Sequence, residues 1–241
     1  MEERELAEGV VQNHYFTAAP YSTIEEEEGT RDMGPLYPFL ISGGTNTERY
    51  YFTHINDITD YKFNIFPKYF GDESSYTELF PERIKEIIKK NAGAKVFCVF
   101  DLDTLYLNKK NQEKHLKFEE SLKNEIEQGF VVLCPSMPSI EYWFLLHFND
   151  YTDLIKSCGR KMQRLLSPYM MPYFPDTGKK LLSMLKDKKY IESPHWVIEL
   201  CSDNKLELAI KRAENNIKMA VASENLKNSS YSYVYKVFKK Q

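Results

Sequence analysis

The feature that most constrains the fold of this chain is a series of short apolar runs, each followed by a stretch long enough to form a helix. Three runs stand out, at 37–41 (YPFLI), 95–100 (KVFCVF) and 130–134 (FVVLC), and a further strand is predicted near 63–66. Continuous apolar runs of this length are typical of strands buried on both faces of a sheet. Because strands that alternate with helices form parallel sheets, we predict an α/β fold with a mostly parallel central sheet.

Helices are predicted between and after these strands. Thr45-Asn46-Thr47-Glu48 fits a capping box, in which Thr45 and Glu48 would satisfy free amide groups at the start of a helix. Pro135 to Pro138 are expected to break the chain before an apolar helix that contains Trp143 and Phe148. The other candidate helices lie near 81–91, 111–128, 154–166, 179–187 and 206–221. Three of these follow residue 151, so the C-terminal part is predicted to be helical.

Length and composition indicate one compact domain with an extension. The chain has 241 residues, which is enough to bury one sizeable core. Residues 1–35 are polar and acidic, include the run Glu25 to Glu28 and lack periodic apolar positions. We therefore expect an acidic N-terminal extension at 1–35 and a single domain at 36–241.

Charge, cysteine spacing and hydropathy exclude several classes of protein. The formal net charge is −3, so the chain as a whole does not attract nucleic acid or anionic membranes, and such binding must come from local patches. The four cysteines form no CxxC pair, which argues against a zinc ribbon or a thioredoxin-type redox site. The N-terminus lacks the features of a signal peptide, and no apolar stretch approaches the ~20 residues of a membrane span. We expect a cytoplasmic protein without membrane contact.

The sharpest local signal for chemistry is Asp101-Leu102-Asp103, directly after an apolar strand. Alternation along a strand turns both carboxylates to one side and Leu102 to the other. At the carboxyl end of a parallel strand, Mg²⁺ or Mn²⁺ is the natural partner for two such carboxylates. Aspartates after strands also commonly form turns or cap the next helix, so both interpretations stay open.

A second signal is an acidic residue in the first turn of the apolar helix that follows 136–139. Glu141 could be a third carboxylate facing the ends of the neighbouring strands, or it could serve only to stabilise the helix dipole. His147 lies six residues later, on a different face of the helix. Taken alone, His147 is more typical of a hydrogen-bonded core histidine than of a catalytic group.

A third signal is the glycine-rich turn at 43–48. The amides of Gly43, Gly44, Thr45 and Thr47 could hold a phosphate at the start of a helix, although no Walker A sequence follows. Glu48 fits helix capping as well as metal binding. The basic pairs at 109–110, 188–189 and 239–240 are typical of solvated surfaces.

Together these motifs resemble the RloB-like family, which includes abortive-infection proteins of the AbiL type and has a Toprim-like core. The family shows a strand ending in Glu-Gly, then Thr-Glu and an aromatic pair, for which this chain has Gly43-Gly44, Thr47-Glu48 and Tyr51-Phe52. An Asp-x-Asp strand end follows, matched at 101–103. The family's Ser-Asn-Pro-x-Phe-Glu-x-Trp-x-x-x-His-Phe is matched in order and spacing at 136–148. The resemblance covers about 39–148 and could extend to 228–237.

The resemblance implies a Toprim-like three-layer α/β fold and a metal-dependent nuclease or phosphodiesterase in prokaryotic anti-phage defence. Mg²⁺ or Mn²⁺ would be bound by Asp101, Asp103 and Glu141. Glu141 and Glu48 would be catalytic, and His147 would act by orienting a carboxylate. Nucleic acid would be the substrate, and an ATPase of the kind encoded beside some family members would be a partner protein.

One departure from the family pattern leaves other interpretations open. In Toprim-like nucleases the glutamate that ends the first strand serves as a general acid/base or in the metal site, and Gly43 stands at that position here. Either Glu48 or Glu141 takes over this role, or the protein is a catalytically inactive module that binds nucleic acid or a partner. A third alternative is a purely structural interaction domain, in which the acidic residues matter only for stability.

Overall fold

The computed structural model describes residues 37–239, except 45, 67–75, 106 and 175–177. The predicted extension at 1–35 and Thr45 lie outside the described residues. The strands of the described part are β1 (Phe39–Ser42), β2 (Asn64–Phe66), β3 (Val96–Asp101), β4 (Val131–Met137) and β5 (Tyr231–Ser232). Each of the four predicted strands is therefore present, within two residues at its start.

The helices of the described part agree with the predicted alternation. They are α1 (Thr47–Ile58), α2 (Tyr76–Lys90), α3 (Lys109–Ser121), α4 (Lys123–Glu127), α5 (Ile140–Leu146), α6 (Arg160–Met170), α7 (Leu181–Met184), α8 (Lys188–Ile191), α9 (His195–Cys201) and α10 (Lys205–Ala222). None of these helices combines the length and the apolar character that crossing a bilayer requires. The C-terminal part is helical, as predicted.

The strands form one sheet in the order β2-β1-β3-β4-β5. The first four are parallel, and β5 pairs antiparallel with β4. The central strands β1 and β3 are almost entirely buried, which explains why their sequences are continuously apolar. The predicted α/β fold with a mostly parallel sheet is confirmed, and its layout agrees with the Toprim-like arrangement.

The chain crosses the sheet in two directions. From β1 it passes through α1 to β2, returns through α2 to β3 on the other side of β1, and continues through α3 and α4 to β4. Because parallel crossovers are right-handed, α1 lies on one face of the sheet and α2 to α4 on the other. The direction changes between β1 and β3. In open α/β sheets the carboxyl ends of two such strands border a crevice in which ligands bind.

Helix α5 lies inside the core. All of its residues are buried, because it packs against β4, α6 and α10. The indole Nε1 of Trp143 donates a hydrogen bond of 2.8 Å to the hydroxyl of Tyr51 on α1, and its ring stacks on Phe238 with centroids 5.6 Å apart. The predicted burial of this helix is confirmed, although Phe148 lies beyond its end.

The start of α1 differs from the predicted capping box in its described part. The N-cap residue is Asn46, whose side chain makes no capping hydrogen bond, and the predicted role of Thr45 lies outside the described residues. Instead, the Thr47 hydroxyl donates to the carbonyl of Leu185 at 2.7 Å, and the Asn46 amide donates to that of Lys186 at 2.9 Å. Carbonyls from a segment about 140 residues away thus engage the two polar side chains that lie between the predicted capping residues Thr45 and Glu48.

Two further differences from prediction involve prolines. Helix α2 begins at Tyr76 and contains Pro81, which was expected near its start because proline favours the first turn. Strand β4 continues through Pro135, where a break is predicted. The Pro135 carbonyl accepts a hydrogen bond from Tyr233 N, on the side away from β3. The ring nitrogen faces the same side, so the proline removes no hydrogen bond from the parallel ladder.

Candidate functional site

A cavity of about 390 Å³ opens at the carboxyl ends of β1, β3 and β4. The register pairs Asp101 with Ser136, so the segments that leave β3 and β4 start side by side. The residues lining the cavity are Gly43, Gly44, Asn46, Thr47, Glu48, Asp101, Asp103, Thr104, Ile140, Glu141, Cys158 and Lys186. All three sequence motifs therefore contribute to one site.

The turn between β1 and α1 brings Glu48 into the cavity wall. Glu48 is 5% exposed, and its carboxyl group lies against the backbone of Gly44. A Cβ atom at Gly44 would overlap that carboxyl group, whereas a Cβ at Gly43 would come no closer than 3.6 Å to any neighbouring atom, the Cβ of Phe100. Gly44 thus provides the space that the Glu48 carboxyl group occupies.

The end of β3 provides the two aspartates. Asp101 is the last residue of the strand, and its Oδ1 accepts a hydrogen bond of 3.0 Å from the backbone N–H of Ile140 at the start of α5. Asp103 and Thr104 follow in the cavity wall, while Leu102 is buried in the core. The predicted alternation of these side chains is confirmed.

The start of α5 provides the fourth carboxyl group. Glu141 is 3% exposed, and its Oε2 accepts a hydrogen bond of 2.6 Å from the Ser139 hydroxyl. Cys158 also lines the cavity, and burial, followed by the charge of Glu141, raises the pKa of its thiol well above the ordinary value. No sequence motif indicates that Cys158 lines this cavity, because it lies in a loop 17 residues after Glu141.

Three of the carboxyl groups have raised pKa values. Burial raises the pKa of Glu48 to about 7, and the charge of Glu141 adds to the shift. Burial, and then the charges of Glu48, Glu141 and Asp103, raise the pKa of Asp101 well above its usual range. Burial and Glu141 also raise the pKa of Asp103. Lys186 opposes the shifts of Glu48 and Asp103, so one lysine faces a group of four acids.

The sequence model for RloB-like proteins matches residues 39–240. The chain belongs to the RloB-like family. The family match includes the five strands of the described part of the chain and every residue that lines the cavity. It also extends past the motifs at 39–148, through the closing segment at 228–237. No match was found among curated proteins or among solved structures.

The cavity of this RloB-like protein has the donor chemistry of a site for a hard cation. Carboxylate oxygens are the ligands that Mg²⁺ and Mn²⁺ prefer, and a cation would offset the repulsion among these acids. Within the described residues, no three His, Cys, Asp or Glu side chains are grouped as a ready metal cage. Mg²⁺ commonly binds through one or two carboxylates and keeps several waters, so the donor set fits this ion.

The phosphate site predicted at the glycine-rich turn has an acidic side chain beside it. The Glu48 carboxyl group covers Gly44, and a phosphate placed there would meet an acidic group. The Thr47 hydroxyl is already engaged by Leu185. Gly43, Gly44 and Thr47 line the cavity and Thr45 lies outside the described residues, so phosphate binding by the amides of this turn stays a prediction, which the nearby Glu48 carboxyl group disfavours.

His147 lies outside the cavity, in the core behind α5. It is 1% exposed, its Nδ1 hydrogen-bonds to the Leu200 carbonyl at 2.7 Å, and its buried Nε2 has no hydrogen-bond partner among the described residues. Since a carbonyl only accepts, Nδ1 carries the proton. Burial lowers the pKa of His147 to about 3. The prediction that His147 orients a carboxylate is therefore wrong, and the core-histidine alternative describes it.

Proposed function

We propose that this RloB-like protein is a Mg²⁺- or Mn²⁺-dependent nuclease or phosphodiesterase that acts on nucleic acid in prokaryotic anti-phage defence. The observation that carries the proposal is the convergence of four acidic side chains on one cavity at the switch point of a parallel sheet. Strongly shifted carboxyl pKa values in a cleft are typical of functional sites. The nuclease chemistry and the defence role follow the resemblance to Toprim-like proteins.

The acidic residues take distinct roles in this proposal. Asp101, Asp103 and Glu141 would hold the ion, one or two of them directly and the rest through its bound waters, and the ion when bound supplies charge neutralisation at the phosphate and a more acidic water. The hydrogen bonds from Ile140 N and the Ser139 hydroxyl fix one oxygen each of Asp101 and Glu141. These contacts orient the two carboxyl groups and leave their other oxygens for ligation.

Glu48 is the proposed general acid or base. Its pKa of about 7 lies near the operating pH, where a carboxyl group exchanges a proton most effectively. Its place on α1, beside the backbone of Gly44, sets it on the wall formed by the β1 turn rather than by β3. Glu48 thereby takes the acid/base role of the family glutamate whose position Gly43 occupies in this chain.

The alternative is a catalytically inactive module that binds nucleic acid or a partner protein such as an ATPase. Gly43 at the position of the family glutamate favours it. In both cases we place the protein in the cytoplasm, where the four cysteines, which form no disulfide, would remain reduced.

Calorimetric titration with Mn²⁺ tests the proposal without assuming a substrate. We expect saturable binding to the wild-type protein and its loss in D101N/D103N, because these residues supply ligand oxygens. D57N/D60N removes the same charge from two exposed positions outside the cavity and should bind Mn²⁺ as the wild type does.

Cleavage of labelled RNA and DNA with Mn²⁺ then separates the two candidates. Cleavage by the wild type and none by D101N/D103N supports the nuclease. Absence of Mn²⁺ binding by the wild type contradicts the metal site and leaves the binding module as the better account.

A further inference from the structure

A lysine-rich segment borders the acidic cavity. Residues 179–189 read KKLLSMLKDKK, with five lysines and one aspartate in 11 positions of a chain whose net charge is −3. The five lysines are Lys179, Lys180, Lys186, Lys188 and Lys189, and all are exposed. The segment is thus a local basic patch on an acidic protein.

Buried anchors fix this segment beside the cavity. Leu181, Met184 and Leu185 are fully buried, so α7 is attached to the core. The hydrogen bonds from Thr47 and Asn46 tie the end of α7 to the start of α1. The exposed lysines therefore sit on a held backbone next to the site.

Three of the lysines have no ion-pair partner among the described residues. Lys179 pairs with Asp187 and Lys188 pairs with Glu192, each at 3.5 Å. For Lys180, Lys186 and Lys189, called the lysine rim from here on, the described part of the chain shows no ion pair. Exposed lysines such as Lys85 and Lys211 also lack an ion pair in the described part of the chain, so the rim is distinguished by its place in the segment that borders the cavity.

An acidic cavity by itself repels a polyanion. A phosphodiester can approach four carboxyl groups only if nearby cations hold its backbone, and the net charge of the chain offers no general attraction. Lys186 meets this need directly, because it lines the cavity and its charge reaches Glu48 and Asp103. Lys180 and Lys189 are exposed positions of the same segment.

We infer that Lys180, Lys186 and Lys189 bind the phosphate backbone of a nucleic acid and hold it across the mouth of the acidic cavity. The inference rests on the proposed function in one respect, namely that the bound nucleic acid is the substrate of the acidic site. Binding of the nucleic acid to the lysine rim does not require a metal ion. Lysine binds phosphates as a point charge, so the rim recognises the backbone and not the base sequence.

The test is fluorescence anisotropy with a labelled single-stranded oligonucleotide in EDTA, where neither metal binding nor cleavage intervenes. We expect K180Q/K186Q/K189Q to bind about tenfold more weakly than the wild type. The slope of log affinity against log salt should fall by about 2, since each contact with a single strand contributes about 0.7. Thermal unfolding checks that the variant is folded.

The matched control is K85Q/K211Q/K227Q, which makes the same charge change at three exposed lysines outside the cavity. It should retain the wild-type affinity within about twofold, apart from the small effect of net charge. Equal losses of oligonucleotide affinity in both variants, or no loss in the rim variant, would overturn the inference.

Inorganic phosphate, at matched ionic strength, should displace the oligonucleotide no better than chloride. Strong displacement would indicate a single-phosphate pocket instead and contradict backbone binding.

The experiments distinguish an error in the lysine rim from an error in the metal site. If K180Q/K186Q/K189Q binds the oligonucleotide as the wild type does while the wild type binds Mn²⁺, this inference is removed and the proposed function stands. A functional rim without Mn²⁺ binding supports the inference and moves the protein to the inactive binding module.

Discussion

At the scale of single residues, Glu48 has the least ordinary environment in the site. Its carboxyl group is buried against Gly44 and faces Glu141 across the cavity, and both factors favour the protonated form. In the unfolded chain it would ionise at its ordinary pKa of 4.5. Ionisation of Glu48 therefore opposes folding wherever the pH exceeds that value, unless a cation is bound.

This predicts a pH-dependent effect of E48Q in the protein without metal. Because the folded-state pKa is raised from 4.5 to about 7, the contribution of Glu48 to stability is present below pH 4.5 and is lost as the pH rises through 7. The free energy of unfolding of E48Q relative to that of the wild type should therefore increase by about 3 kcal/mol between pH 4.5 and pH 7. Urea unfolding at a series of pH values in EDTA measures this difference.

The comparison for Glu48 is E127Q, at an exposed position outside the cavity. It should leave the pH profile unchanged. A constant difference between E48Q and wild type across this pH range would show that Glu48 is not held protonated by its surroundings.

At the scale of elements, the turn from β1 to α1 decides where Glu48 points. The turn passes through two adjacent glycines with different surroundings, since only the space above Gly44 contains the Glu48 carboxyl group. The connection is also fixed from outside by α7, through Thr47 and Leu185. One short turn thus joins the sheet, the acidic cavity and the lysine-rich segment.

The adjacent glycines offer a paired experiment. G44A should displace the Glu48 carboxyl group and reduce stability by about 1–3 kcal/mol, as overpacking does. It should also weaken Mn²⁺ binding, because the displaced group enters the space between the other acids. G43A introduces the same methyl group where the nearest atom is 3.6 Å away, and we expect a change under about 1 kcal/mol. Urea unfolding and Mn²⁺ calorimetry measure both effects, and equal responses of the two variants would contradict this description of the turn.

At the scale of the whole molecule, the cavity and the core are separate. The acids lie at the carboxyl end of the sheet, whereas His147 lies behind α5, hydrogen-bonded to Leu200 of α9. His147 also contacts the ring of Trp143 edge-on, with centroids 5.2 Å apart. Its surroundings are those of a packing residue.

H147A should therefore lower stability without changing the cavity. We expect the free energy of unfolding to fall by about 2–4 kcal/mol, since the change leaves a void and an unpaired carbonyl.

The contribution of His147 to the stability of the wild type should decline as the pH falls from 6.5 towards 3, because the depressed pKa of His147 keeps it neutral when folded. Mn²⁺ affinity should match the wild type at a temperature where both proteins are folded. H195A, at an exposed histidine, should alter neither property. Loss of Mn²⁺ binding in folded H147A would return His147 to the site.

The sequence by itself determined the four parallel strands, though not β5, and also the side on which Asp101 and Asp103 lie and the burial of α5. These features depend on local periodicity: an apolar run buried on both faces becomes an inner strand, and alternation then directs the residues that follow it. The spacing of the motifs was also sufficient for the family resemblance, and the sheet order brought all three motifs to one cavity.

Only the tertiary structure decided which of the other polar groups belong to the site. Lys186 and Cys158 reach the cavity from segments far along the chain, and no local pattern indicates either contact. Glu48 fits a capping box in sequence, but carbonyls of a distant segment engage the polar groups beside it, and its own side chain faces the acids. His147 matches a family motif and is nevertheless enclosed by the core. Local sequence specifies which residues can bind or ionise, whereas long-range packing specifies which of them meet, because burial and neighbouring charge depend on segments that only the fold brings together.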